Sequence, residues 1–182
     1  YGGDLAIGAF GIVNRLVFIV VMIVMGLNQG MQPIAGYNFG AKLYGRVNKV
    51  LKLTIIYATA VTTFGFLVGM LVPDLVVGIF TSDAELTELS VTGLRITVMF
   101  FPIIGFQMVT SNFFQSIGMA GKAIFLSLTR QMLILLPCLL ILPQFFGVAG
   151  VWYSMPVSDL LASLIALVML VCQFRKFRTS PL

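Results

Sequence analysis

Long stretches of this chain carry no charge, and each is long enough to cross a lipid bilayer. No Asp, Glu, Lys or Arg occurs from Leu16 to Ala41, from Leu53 to Pro73, from Ile96 to Gly121 or from Gln131 to Ser158. A helix needs about 20 apolar residues to cross roughly 30 Å of hydrocarbon. Only 9% of the 182 residues are charged, against roughly 25% in a soluble domain, so these runs cannot lie beneath a hydrated surface. The chain therefore reads as an all-α polytopic membrane helix bundle, a single lobe over 1–182 with five spans near 5–41, 53–72, 89–117, 123–146 and 148–174.

The same composition excludes most soluble chemistry. There is no histidine, no phosphate loop of Walker type and no pair of carboxylates outside one connecting loop, so neither an enzyme nor a metal centre is expected. Cys138 and Cys172 fall inside apolar runs and read as small hydrophobes. A net charge of +5 would suggest nucleic acid as partner for a soluble protein, but here it sets topology. With five spans, Lys42, Arg46, Lys49, Lys52, Lys122, Arg175, Lys176 and Arg178 all fall on one side, which predicts a cytoplasmic C-terminus. Asp74, Asp83, Glu85 and Glu88 fall on the other, and Thr81-Ser82-Asp83-Ala84-Glu85 predicts a helix N-cap with a carboxylate in the first turn. The chain opens on Tyr1 without a secretory signal and reads as a piece of a longer one.

Function is sought among the polar residues inside the spans. Asn28, Gln32 and Gly36 lie four apart with Gln29 beside them, and Gln107, Ser111 and Gln115 repeat that spacing with Thr110 and Asn112 alongside. These stripes predict a protein-enclosed cavity whose candidate lining is Asn28, Gln29, Gln32, Gln107, Ser111 and Gln115. The simpler reading is that the amides only join helices. Pro33, Gly36, Pro102 and Gly105 are candidate helix breaks or gates, since interrupted backbone at depth is a habit of transporters. Gly65 and Gly69 give the second span a small face for close packing. Arg15, Arg95 and Asp159 count to similar depths, which predicts an ion pair of Asp159 with Arg15 or Arg95, while Arg130 reads as snorkelling. Phe100, Phe101, Phe106, Phe113 and Phe114 read as packing, or as cavity wall for flat apolar cations.

Tyr1-Gly-Gly-Asp-Leu-Ala-Ile-Gly-Ala-Phe-Gly-Ile, the block from Gly26 to Lys42 (Gly-Leu-Asn-Gln-Gly-Met-Gln-Pro-Ile-Ala-Gly-Tyr-Asn-Phe-Gly-Ala-Lys) with Arg46 after it, Phe114-Gln-Ser-Ile-Gly118 and Pro156-Val-Ser-Asp159 resemble the C-terminal half of a bacterial multidrug and toxic compound extrusion (MATE) transporter. The resemblance covers essentially the whole chain. It implies one lobe of a two-lobe, twelve-helix transporter, the chain supplying helices eight to twelve and lacking the N-terminal lobe as its partner. It further implies a multi-pass protein of the bacterial inner membrane that exports amphipathic or cationic small molecules in exchange for sodium or protons, with no cofactor beyond that coupling ion. Some members carry a cation-binding carboxylate in the helix matching the third span, where this chain has only Arg95, so no coupling residue carries over. The rival expectations are a lipid-linked saccharide flippase of the related superfamily and a non-transporting membrane assembly module.

Overall fold

The computed structural model describes residues 3–179, with side chains as far as Arg175. Tyr1 and the side chains of Lys176 and Arg178, used in the sequence reading, lie outside the described residues. The elements in order are α1 (Gly3–Gly40), α2 (Tyr44–Leu71), the short α3 (Pro73–Gly78), α4 (Ala84–Val98), α5 (Phe101–Ser116), α6 (Ala120–Leu128), a π-helical turn (Thr129–Leu135), α7 (Leu136–Phe146) and α8 (Val148–Thr179). Four helices have the length and hydropathy of a membrane span, or five when the bent pair α4 and α5 counts as one.

Local chemistry explains where the elements begin and break. α2 starts at Tyr44, ahead of the apolar run from Leu53, because its first turns carry Arg46, Lys49 and Lys52 and project beyond the hydrocarbon. α4 starts where Asp83 accepts a hydrogen bond from the Leu86 amide at 2.9 Å, satisfying one orphan donor, with Glu85 in the first turn beside the positive end of the helix dipole. α4 and α5 meet at a 54° bend over residues 99–100. Pro102 stands in the first turn of α5, where a missing N–H is tolerated, and it biases the residue before it away from helical geometry. The π-helical turn lies just ahead of Pro137, whose ring would crowd the carbonyl of Leu133 in a regular helix, and the wider turn relieves that contact.

Three of the four candidate breaks are corrected. α1 continues through Pro33 to Gly40, since one proline removes only one intrahelical bond and the residues on either side keep theirs. Gly36 and Gly105 are points of close approach between helices. A Cβ on Gly36 would lie 2.9 Å from the Ser116 carbonyl oxygen, and one on Gly105 would lie 2.8 Å from the Ala58 carbonyl oxygen and from Thr62 Oγ1. Gly65 and Gly69 similarly admit Val20 and Val98, the nearest methyls standing 3.0 Å from the Cβ each glycine lacks.

The bundle is electrically sorted end to end. At one end Lys122 donates to Gln173 and stands 5.3 Å from the centroid of Phe114, near where Gly36 meets Ser116. At the other, the tilted rings of Phe10 and Trp152 lie 5.6 Å apart, Gly8 lies against Leu86, and Glu85 and Glu88 line one depression with Leu5. Each half has its own buried cluster: Met31, Leu51, Phe113, Phe114 and Leu126 toward the basic end, and Ala9, Val13, Leu94, Phe101 and Trp152 toward the acidic one.

The tightest backbone approach is in the hairpin of α7 and α8, turned at Gly147 with φ +57°, where a Cβ on Gly150 would lie 2.4 Å from the Leu142 carbonyl. Backbone cannot yield as a side chain can. Gly150→Ala is expected to lower stability by about 1–3 kcal/mol, whereas Gly121→Ala, with open space around it, is expected to be neutral or slightly stabilising. Thermal melts of the two full-length variants in detergent check this, and equal melting temperatures would contradict it.

Candidate polar cavity

α8 carries Asp159 three residues beyond Pro156, on a face enclosed by α4, α5 and the π-helical turn. Its side chain is 6% exposed, and a lone carboxylate so placed in a lipid-crossing bundle would be costly. Arg130, second residue of the π-helical turn, neutralises it: Nε donates to Oδ1 at 2.8 Å and Nη2 lies 2.8 Å from the same oxygen. This corrects the expected pairing. Arg15 and Arg95 are exposed and make no ion pair among the described residues. Matching depth counted along each span says nothing of which face a side chain takes, and Arg95 lies two residues from buried Thr97, on the opposite side of α4. Arg130 is likewise no snorkelling residue. It stands ten residues from the start of α6, about 15 Å along the axis, and turns inward.

The pair forms one wall of a cavity of about 190 Å³ among α1, α4, α5, the π-helical turn and α8. Asn14, Thr97 and Ser158 supply its remaining polar groups, and Phe101, Met108 and Met155 are among the apolar ones. Thr97 Oγ1 donates to the Gly93 carbonyl and Ser158 Oγ to the Met155 carbonyl, both at 2.8 Å, so each hydroxyl has spent its proton and offers lone pairs. Arg130 uses two N–H groups on one oxygen, which leaves Nη1 and the second Nη2 hydrogen without an acceptor among the described residues. Donors and acceptors therefore face one small space. Among the described residues no group of three His, Cys, Asp or Glu is placed to hold a metal ion.

None of the six residues proposed from the stripes lines that cavity. The stripes meet at one bond, Gln32 Nε2 donating to Asn112 Oδ1 at 3.3 Å, while Asn112 Nδ2 donates to the Met108 carbonyl. Gln107 is 4% exposed and Asn28 is 2% exposed, with neither amide atom of Asn28 partnered among the described residues. Gln29 and Gln115 are exposed and Ser111 is half-buried. Asn14, Thr97 and Ser158 were not singled out from the sequence. Two of them carry a signal of adjacency, Asn14 preceding Arg15 and Ser158 preceding Asp159, and Thr97 carries none.

Removing one member of the pair should harm more than removing both. Arg130→Gln leaves an enclosed carboxylate without its base and is expected to cost about 3 kcal/mol, whereas Arg130→Gln with Asp159→Asn recovers most of that loss. Melting temperatures of both full-length variants decide it, and a double variant no better than the single one would contradict the pairing.

Relatives share this arrangement of helices. The multidrug export protein MepA of Staphylococcus aureus (strain MSSA476) is 29% identical over 165 residues, which are 91% of this chain and 36% of MepA. The solved structure of the MATE multidrug transporter DinF-BH superposes with a TM-score of 0.86 at 37% identity, over 98% of this chain and 40% of that one. An outward-facing multidrug resistance MATE family transporter of the MOP superfamily gives a TM-score of 0.90 at 19% identity, over 98% and 41%. The chain thus spans well under half the length of these proteins. Its residues 1–141 match the MatE family model, and the chain belongs to the MatE family of membrane transporters.

Proposed function

We propose that the whole protein exports amphipathic compounds in exchange for inward sodium or protons by alternating access, and that this chain is its C-terminal lobe. The observation that carries the reading is the cavity: a neutralised ion pair, an amide and two hydroxyls enclosed with two methionines and Phe101 in a bundle otherwise apolar enough to cross a bilayer. Such a space solvates a small molecule's polar group while its body meets apolar wall. The partner is a second, N-terminal lobe, and the cargo is an amphipathic molecule drawn from the bilayer or the water beside it. The sorting of bases to one end and acids to the other supports a bacterial plasma membrane location with the C-terminus cytoplasmic.

The test is efflux of a fluorescent amphipath from energised cells expressing the full-length protein. Thr97→Val and Ser158→Ala, which strip cavity acceptors, are expected to slow efflux roughly tenfold, while Gln115→Leu, exposed and outside the cavity, leaves the rate unchanged. Collapsing the sodium gradient and the proton gradient separately identifies the coupling ion. Efflux indifferent to both would overturn antiport, and equal rates in all three variants would remove the cavity from the pathway.

A further inference from the structure

The two members of the buried pair are not equally available to a solute. Asp159 is almost fully enclosed, whereas the Arg130 side chain is one-third exposed and faces the cavity with unused N–H groups. A visitor therefore meets the outer edge of a guanidinium before it meets the carboxylate. That edge, with two N–H groups side by side, matches a carboxylate's two oxygens. A cation, by contrast, meets a carboxylate whose Oδ1 already accepts twice from Arg130, so only Oδ2 is left to it.

Outside the cavity the charge has the same sign. An open depression of about 360 Å³ shares Asn14, Val17 and Val21 with it and adds Arg15 and Phe18. Arg15 is exposed and makes no ion pair among the described residues. The acids at the end of the bundle are remote, Asp4 standing ten residues from Asn14 and Glu88 nine from Thr97, about 13–15 Å along their helices. The hydroxyls of Thr97 and Ser158 add acceptors beside the guanidinium. A purely anionic guest would leave those lone pairs unused, and a purely cationic one would leave the arginine edge unused.

We propose that this cavity is a headgroup site for zwitterionic amphipaths, the cargo's carboxylate seated on the free edge of Arg130 and its N–H or cationic group turned to Thr97 and Ser158. The apolar body of the cargo then lies in the depression beside Phe18 and Val21, with Arg15 adding attraction for the carboxylate at the mouth. A volume of about 190 Å³ is sized for a headgroup and not for a whole drug molecule. This names a cargo class for the export reading and rests on it only for what happens after binding.

The experiment uses purified full-length protein in detergent and two probes: a xanthene dye bearing a free carboxylate, and its ethyl ester, identical but for the blocked acid. Fluorescence polarisation is expected to show the acid binding about ten times more tightly than the ester. Arg130→Gln combined with Asp159→Asn keeps the site neutral and removes the guanidinium, and it is expected to abolish that preference. Arg15→Gln breaks no pair and is expected to reduce the preference roughly twofold to fivefold. Equal affinity of the wild-type protein for acid and ester, or a preference unchanged in the double variant, would overturn the site. Acid preference present and lost on cue, with no gradient-driven efflux of either dye, would sustain the site and overturn the export reading instead.

Discussion

A carboxylate in the interior of a lipid-crossing bundle must be neutralised, and the arrangement of the last three helical segments follows from that demand. Asp159 is held on α8, and the base that answers it arrives on a π-helical turn in the middle of the neighbouring span. A π turn widens the helix locally and recurs at functional positions. Pro137 makes the turn cheap here, because a regular helix would drive its ring into the carbonyl a turn earlier. Backbone irregularity and buried charge are thus one feature: the distortion a proline demands is placed where a guanidinium has to be aimed.

Many hydroxyls of the bundle are satisfied within their own helix. Thr54, Thr62, Thr97, Thr110, Ser154, Ser158 and Ser163 each donate to a carbonyl of their own helix. Such back-bonding suits hydrocarbon, where water is not at hand, and it leaves those hydroxyls few protons for bonds between helices. Glycines then decide how near the helices come. Gly93 lies flat beneath the indole of Trp152, its missing Cβ 2.6 Å from the ring, and Gly105 lies against the α2 backbone.

Much of the fold was legible because it follows from one-dimensional rules. Uncharged run length marks apolar helices and Thr81 to Glu85 marks a helix start, so the all-helical membrane fold and the Asp83 cap could be read directly. The site was not legible in the same way. Helical spacing put Asn28, Gln32, Gln107 and Ser111 on stripes, but a stripe fixes only which residues share a face and leaves open what that face meets. α1 and α5 in fact meet along those stripes, where Gln32 binds Asn112, so polar residues became packing surface. The depth argument for Asp159 failed for a related reason: it compared distances along axes while the pairing was settled by rotation about them, and a π turn alters rotation without leaving a residue motif.

Arg15 shows how much of the lobe's surroundings its own residues dictate. It stands twelve residues into α1, about 18 Å from the helix start, and it is exposed without an ion-pair partner among the described residues. Asn14 beside it is exposed as well and lines both the cavity and the depression. The face of α1 that carries Asn14 and Arg15 is thus the polar side of the depression beside the cavity. Ile19, Met22 and Ile23, exposed farther along the same helix, are what lipid or an apolar partner covers. One helix thus divides its exposed surface between a polar stretch and an apolar one, and the cavity lies beside the polar stretch.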